Sequence, residues 1–461
     1  VLDIAAYNYS NYYVEEFLKN SSYDCIGIGG LIATYKYVKW VSCVIKKYMP
    51  KVPIIAGNMV ATAMPHLLLE KTDADIAVID EGEDTCQELF SALSNGGDLS
   101  NINGLWYKKD GKIYQNLPRK RIEDLDKLPF PAWDLFPMEI YLRTPIHVEF
   151  GLRSMRLGAA RGCPYNCNFC SRSFGREVYA RSADNIIAEI KELKGRYGIE
   201  YIAFSGDHFF ISKEWVLTLC DKFIAEDLKI KWGAAGRVNL ISEDILRTMK
   251  KAGCIVLFYG FESGSQKILD NMNKGTTVSQ LEEAVRLTRK AGIYVIGSFM
   301  LGMVGETKET VRESVEFIKR MDLARVIFFF TTPYPNTPLY ETARKMGRLP
   351  EDEEGYIESL GDMGTTFKVN LTDFSDEELF RLKEEVEEIK RNLSIKIRIE
   401  LFIRNWKKRF GFVKLSLEYD GFLFTVKAVF RKLILKLKKI IFKILKISKV
   451  SDEHLQSIKN N

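Results

Sequence analysis

The sequence predicts an α/β protein made of two consecutive parallel sheets, a small βαβ unit and then a partial barrel of six β/α units, followed by a helical region. Two observations carry that reading. Short apolar strands alternate with amphipathic stretches from residue 1 to about 95 and again from about 155 to 335, and a Pro-rich break separates the two runs. At 461 residues and 46% hydrophobic content the chain exceeds what one core accommodates, so two or three domains are expected.

Within the first domain (1–95), "VLDI", "DCIGIGG", "VPIIAGN" and "ADIAVIDEGE" are the expected strands. Because the chain opens directly on the first of them, a further strand and helix are expected upstream of Val1. Residues 96–154 break into Gly, Asp and Pro and read as a linker; the prolines of "LPFPAWDLFP" (128–137) hold it extended and its aromatics are expected to pack. The barrel (155–335) resumes with "MRLGAARG", "YIAFS", "KWGAAG", "IVLFYG", "YVIGSFMLG" and "RVIFFFT". Helices fall between them, including "SADNIIAEIKELKGRYG", with Ser182 as its expected cap, and "VSQLEEAVRLTRKAG". A helix-rich region (336–424) and a basic amphipathic tail (425–461) complete the chain, with no internal repeat.

Composition narrows the setting. The eight cysteines are scattered apart from one central trio and no signal-peptide pattern is present, so a reducing, cytoplasmic location is expected. No apolar run is long enough for a membrane-spanning helix. The net charge of +6 belongs to the tail: residues 426–461 hold ten Lys/Arg against Asp452 and Glu453. With apolar residues at spacings of three and four, that segment reads as a helix lying peripherally on an anionic membrane, each basic residue adding about 1 kcal/mol. Packing on the barrel or on a partner is the other use of such a helix. Nucleic acid is not expected, because few aromatics sit among the basic residues to stack on bases.

"RGCPYNCNFCSR" (161–172) places Cys163, Cys167 and Cys170 at C-x3-C-x2-C spacing just after a strand end, where barrel active sites collect. Zinc sites usually add a second ligand pair downstream, and none follows here. A four-iron cluster held by three thiolates leaves one iron open to an outside ligand, which makes the missing fourth thiolate a binding site. Buried structural thiols and a three-cysteine zinc site are the alternatives that this spacing disfavours.

This motif, with Phe169 before the last cysteine, resembles the radical S-adenosylmethionine (SAM) superfamily. The resemblance implies a [4Fe-4S] cluster on Cys163, Cys167 and Cys170, SAM on the open iron, and cleavage of SAM to a 5'-deoxyadenosyl radical. It implies that Phe169 lies near the adenine. It also implies that "FSGD", with Ser205, Gly206 and Asp207, is the segment for the SAM amino group, with Asp where the family more often has Glu. Arg237, with Asn239 nearby, would meet the SAM carboxylate, and Glu262 and Ser263 of "GFESGS" the ribose. "GMVGET" (302–307) matches the family's "GxPGET" with Val304 in place of Pro.

A βαβ domain ahead of such a barrel is similar to the cobalamin-binding subclass of that superfamily. The resemblance covers roughly residues 1–345 and implies a Rossmann-like cobalamin domain whose loops "GIGGLIATY", "AGNMVATAMPH" and "IDEGEDT" face the corrin, with Gly30, Gly57, Gly82 and Glu83 as contacts. A sheet that binds no ligand is the alternative. His66 reads as a helix-start residue rather than a cobalt ligand, and His208 as either a proton-transfer or a structural group.

The leading expectation is therefore a cobalamin-dependent radical SAM methyltransferase acting on an unactivated carbon of a hydrophobic or lipid-like small molecule. A reducing donor such as flavodoxin or ferredoxin would supply electrons. The alternatives are the same cofactors with a cyclising or oxidising outcome, and a non-catalytic redox or cobalamin-sensing protein at the membrane.

Overall fold

The computed structural model describes residues 1–143, 152–171, 174–321, 323–361 and 364–388. The expected basic tail, and the helices expected beyond residue 388, lie outside the described residues.

The N-terminal domain runs α1 (Ile4–Tyr7), α2 (Asn11–Lys19), β1 (Ile26–Gly29), α3 (Tyr35–Tyr48), β2 (Ile54–Gly57), α4 (Asn58–Ala63), α5 (Pro65–Lys71), β3 (Ile76–Val78), α6 (Glu83–Asn95), β4 (Leu105–Lys109) and β5 (Lys112–Gln115). The sheet order is β1-β2-β3-β4-β5, with β1 to β3 parallel and β4 and β5 antiparallel.

Two expectations are corrected here. "VLDI" is not a strand: Asp3 caps α1 by accepting the amide of Ala6 at 2.8 Å, and two alanines favour the helical turn that follows. The stretch assigned to a linker supplies two strands of this sheet, because Asp110 and Gly111 both take positive φ (50° and 72°) and make the tight turn that a two-residue hairpin needs.

The second sheet follows α7 (Met138–Arg143). It is formed by β6 (Ser154–Gly158), then, beyond the short antiparallel pair β7 (Ala160–Arg161) and β8 (Tyr179–Ala180) and α8 (Ala183–Tyr197), by β9 (Tyr201–Ser205). The chain continues through α9 (Lys213–Ala225), β10 (Lys231–Gly236), α10 (Glu243–Lys251), β11 (Cys254–Glu262), α11 (Gln266–Asn271), α12 (Val278–Lys290), β12 (Tyr294–Leu301), α13 (Lys308–Arg320) and β13 (Arg325–Phe330). All six long strands are parallel and neighbours in chain order, from β6 at one edge to β13 at the other, which is the open β/α barrel the alternation predicts. Ser182 caps α8 as expected, accepting the amide of Asn185 at 3.1 Å.

Parallel strands covered by helices are apolar on both faces, and Trp232, Phe204, Tyr259, Phe261 and Phe299 are all fully buried. Phe204 lies 5.6 Å from Trp232 and 6.3 Å from Phe223, centroid to centroid, at near-perpendicular tilts that suit the ring quadrupoles.

Past the barrel, α14 (Pro338–Lys345) and α15 (Glu353–Ser359) turn back onto the N-terminal domain. Leu339, Tyr340, Ile357 and Leu360 share one apolar cluster with Val38, Ile54, Leu68 and Met272. Above that cluster Glu354 accepts from Tyr35 OH (2.8 Å) and Lys39 Nζ (2.6 Å). The N-terminal sheet, α11 and these two helices therefore share one core, with Met300 of β12 packed against it.

Close packing between β9, β10 and β11 depends on Gly233, where a Cβ would stand 2.6 Å from Val256 Cγ1 and 2.8 Å from its carbonyl oxygen. Gly233→Ala is expected to destabilise the fold by about 1–3 kcal/mol, read as a lowered urea midpoint, because the backbone of β11 has to move.

Candidate active site

The loop between β7 and β8 carries the three thiols and is held by backbone bonds rather than by the sulfurs. Gly162 takes φ 89°, and a Cβ there would lie 1.9 Å from the carbonyl oxygen of Glu177, so no other residue fits. Cys163 N donates to Gly175 O at 3.1 Å. Asp207, just past β9, accepts the amides of Gly162 (3.1 Å) and Phe174; burial leaves its carboxyl raised above the ordinary carboxylate range, and these two bonds and the Arg121 charge offset that only in part. From the opposite side Asn168 N donates to Met272 O (3.0 Å) and Asn168 Nδ2 to Asn271 O (2.8 Å), while Asn273 Nδ2 donates to Asn166 O (3.0 Å).

The thiols differ in surroundings. Cys167 is buried and Cys163 half-buried; Cys170 opens to solvent, yet protein crowds its sulfur, and this desolvation, with the nearby Cys167 and Cys163, pushes its thiol up to about 11. Burial raises the Cys163 thiol too. Loading such a site therefore displaces protons. Among the described residues no three His, Cys, Asp or Glu side chains converge as they would on one ion, and thiolates that bind separate irons of a cluster need not.

Two buried cations flank the thiols. Arg237 follows β10 and donates from Nη1 to Cys167 Sγ (3.1 Å) and from Nε to Asn239 Oδ1 (3.2 Å), while its plane lies 3.8 Å from the ring centroid of Tyr165. Its Nη2 is buried with no hydrogen-bond partner among the described residues. A guanidinium N–H left unmatched beside a cysteine ligand is costly unless an anion completes it, which is what a bound SAM carboxylate would do. Lys274 donates to Glu262 Oε1 at 3.0 Å, both residues under a tenth exposed, and lies 5.7 Å from the ring of Phe169. Glu262 sits at a bulge of β11 with φ 63°, a left-handed conformation unusual for glutamate, and its other oxygen accepts from Ser298 Oγ at 3.3 Å.

The structure brings Cys163, Cys167, Cys170, Phe169, Asp207, Arg237 and Glu262 to one end of the barrel. Ser205 ends β9 in register with Gly158, and Gly206 takes φ 131° with Ala160 O at 2.8 Å from where a Cβ would be. Ser263 is turned away: it is fully buried, pairs with Ser314 Oγ at 3.1 Å and accepts the Ser265 amide. His208 is buried edge-on to Tyr165, at 5.4 Å between centroids, and burial lowers its pKa.

In the N-terminal loops, a Cβ at Gly57 would meet nothing within 4 Å, and the same holds at Gly27 and Gly29, so this side of β1 and β2 leaves room for a large ligand. Gly30 and Gly82 instead serve their own packing: a Cβ would stand 2.4 Å from Thr34 Oγ1 at the first and 3.4 Å from Val78 Cγ1 at the second. Glu83 is engaged by Arg161 at 2.5 Å. His66 is exposed in the first turn of α5, as its sequence position suggests.

Sequence reasoning missed Arg161, Asn271, Asn273 and Lys274. "NMNKG" (271–275) is a dense polar run between two helices, which is a signal of caps and turns, but nothing local says that it grips a loop a hundred residues earlier. Glu306, quoted only within a motif, is buried and accepts the amides of Gly302 (2.5 Å) and Met303, with burial pushing its carboxyl up to about 7.

Residues 159–318 match the radical SAM superfamily and residues 2–90 the B12 binding domain. An uncharacterized methyltransferase, PH0819, of Pyrococcus horikoshii is 35% identical over 333 residues, 72% of this chain and 71% of that protein. The anaerobic magnesium-protoporphyrin IX monomethyl ester cyclase of Cereibacter sphaeroides is 30% identical over 307 residues, 64% of this chain but 49% of the cyclase, so the match spans about half of that enzyme. Among solved structures, the radical SAM methyltransferase TsrM of Kitasatospora setae, with tryptophan and a SAM analogue, superposes with a TM-score of 0.65 over 76% of this chain and 71% of TsrM. At 20% identity that last likeness is one of fold.

Two outcomes are expected from this geometry. The carboxyl of Glu306 is pushed up by burial to about 7, so the stability it lends is complete below the unfolded value near 4.5 and is lost as pH rises through about 7. Thermal melts from pH 5 to 8 should therefore fall by up to about 3 kcal/mol more in the wild type than in Glu306→Gln. Asp207→Ala should leave far-UV circular dichroism unchanged but retain less than about half of the wild-type iron after anaerobic reconstitution, because two loop amides lose their acceptor.

Proposed function

Because this chain belongs to the radical SAM superfamily, in the group with a B12 binding domain ahead of the radical SAM domain, we propose that it is a cobalamin-dependent methyltransferase that alkylates an unactivated carbon of a small molecule. It is an enzyme, and its cofactors are the [4Fe-4S] cluster, SAM and cobalamin. When bound, these supply a 5'-deoxyadenosyl radical and a transferable methyl group.

The observation that carries the reading is Arg237 Nη2, unpartnered among the described residues, beside Cys167 of a loop that presents three thiols and, among those residues, no fourth cysteine. In this reading Cys163, Cys167 and Cys170 hold the cluster, and Arg237 offers its free N–H to the SAM carboxylate. Lys274 and Ser298 each bond one oxygen of Glu262 and hold its carboxyl group in place, so that a lone pair on each oxygen remains for ligand hydroxyls. Phe169 gives SAM an apolar wall. Asp207 and the Asn271–Asn273 segment keep the thiol loop in place through its backbone. Gly27, Gly29 and Gly57 leave the N-terminal strand ends free for the corrin.

The hydrophobic or lipid-like substrate class, the membrane surface and the flavodoxin- or ferredoxin-type donor belong to this proposal. The first two rest on the basic amphipathic sequence of residues 426–449 alone. A cyclising or oxidising outcome is the second reading, favoured by the 30% identity to the anaerobic cyclase. A non-catalytic sensor is set aside by the methyltransferase relative and by an intact set of thiols with their flanking cations.

Reconstitution of the full chain with iron, sulfide and hydroxocobalamin, then desalting and reduction with dithionite in the presence of SAM, tests the proposal. About four irons per chain, retained cobalt and 5'-deoxyadenosine that disappears in Cys163→Ala are expected. Iron and deoxyadenosine without cobalt would leave a radical SAM enzyme and end the cobalamin part. A product heavier by one methyl group separates methyl transfer from cyclisation once a substrate is found.

A further inference from the structure

Arg161 immediately precedes the pinned glycine of the thiol loop, and its side chain reaches the other sheet. Nη1 lies 2.6 Å from Glu81 Oε1 and Nη2 lies 2.5 Å from Glu83 Oε1, so one guanidinium bridges two carboxylates of the loop that follows β3. Glu81 is buried, with a side chain 4% exposed, and its other oxygen accepts the Ile122 amide at 2.8 Å. The loop is held in turn at Asp80, which takes φ 60° and donates its amide to Thr62 Oγ1 at 2.9 Å. On the other flank the guanidinium lies over Phe174 of the thiol loop, 5.1 Å from its centroid, and the Arg161 backbone pairs with Tyr179 to close that loop.

We propose that Arg161 is a positioning residue that welds the cobalamin-side loop 79–83 to the cluster loop and so fixes the separation between the two cofactors. The role rests on the reading that the N-terminal domain holds cobalamin. Three physical points support it. A fork is needed: lysine, a point charge, cannot meet both carboxylates with parallel N–H groups. The pair is partly withdrawn from water, so removing the arginine strands a buried carboxylate at Glu81 instead of merely losing a surface contact. The lever is short, since Arg161 stands two residues, roughly 7 Å of chain, from Cys163. A group passed between two bound cofactors and a substrate tolerates little error, and misplacement by about 1 Å can cost 10²-fold.

The consequence is specific. Loss of the weld should spare SAM cleavage, which in the proposed reading uses the cluster loop, Arg237 and Glu262 and neither Glu81 nor Glu83, and should disturb the relation between cluster and corrin. Full-length R161Q, R161K, E81Q and R161Q/E81Q are the variants. In the chain as purified, amide hydrogen exchange at 79–83 and 162–163 should rise several-fold in R161Q and less in E81Q, which leaves the Glu83 pair in place, and the double variant should add nothing to R161Q, because the contact that E81Q removes is already lost there. Exchange unchanged in R161Q overturns the weld. After reconstitution with iron, sulfide and hydroxocobalamin, R161Q should keep its iron and release 5'-deoxyadenosine within about twofold of wild type. Its electron paramagnetic resonance should show a weakened or broadened interaction between the reduced cluster and paramagnetic cobalt, partly restored in R161K. A wild type that keeps no cobalt would sink the cobalamin reading and this role with it. A wild type that keeps cobalt, with an R161Q spectrum identical to its own, would sink the role alone.

Discussion

The carboxylate of Asp207 accepts the amides of Gly162 and Phe174, the two ends of the segment that carries the thiols, and the rest of the site is arranged around that bond pair. A loop with three cysteines has no intrinsic reason to keep its shape. Its thiols are poor hydrogen-bonding groups, and its length makes closing it entropically costly. Backbone bonds from β9 on one side and from residues 271–273 on the other supply the order that the sulfurs cannot. Gly162 makes this possible, because the carbonyl of Glu177 occupies the space of its missing Cβ.

Charge is distributed to match. Arg237 and Lys274 stand within the barrel mouth, one bonded to Cys167 and the other paired with Glu262, so the region that would gain negative charge from thiolates and a ligand carboxylate already holds two cations. Neither is an isolated buried charge: each has a carboxylate, amide, sulfur or aromatic partner, and the one donor left over at Arg237 points to where a ligand is needed. Arg161 extends the same logic across the two sheets. A shared apolar cluster gives them adhesion, which is not directional, and the paired carboxylates give them register.

Much of the fold was legible because it is local. Strands 201–205 and 231–236 coincide with "YIAFS" and "KWGAAG", since a short apolar run between turn residues is a strand wherever helices cover both its faces. The failures are also local in origin. "VLDI" was read from apolar content alone, whereas the carboxylate of Asp3 caps a helical turn. The Asp110-Gly111 hairpin carried a strong turn signal that the prolines downstream obscured. In the site, the cysteines stand out by their spacing, whereas Arg237, Glu262 and Gly57 were expected there through the resemblance to the family. Ser263 and Glu83 had the right positions but their side chains are engaged elsewhere, a fact that no one-dimensional pattern contains.

The sequence by itself determined the order and type of most of the elements, the three thiols and the class of chemistry they serve, because periodicity and C-x3-C-x2-C spacing are properties of neighbouring residues. Tertiary structure alone decided which polar groups are spent and which remain available. Arg161 finds Glu81 across 80 positions and Arg237 finds Cys167 across 70, and such pairings arise from the stacking of strand ends rather than from anything written beside either residue. The physical reason is that hydrogen bonds and ion pairs act over a few ångströms of space, whatever the length of chain between the partners.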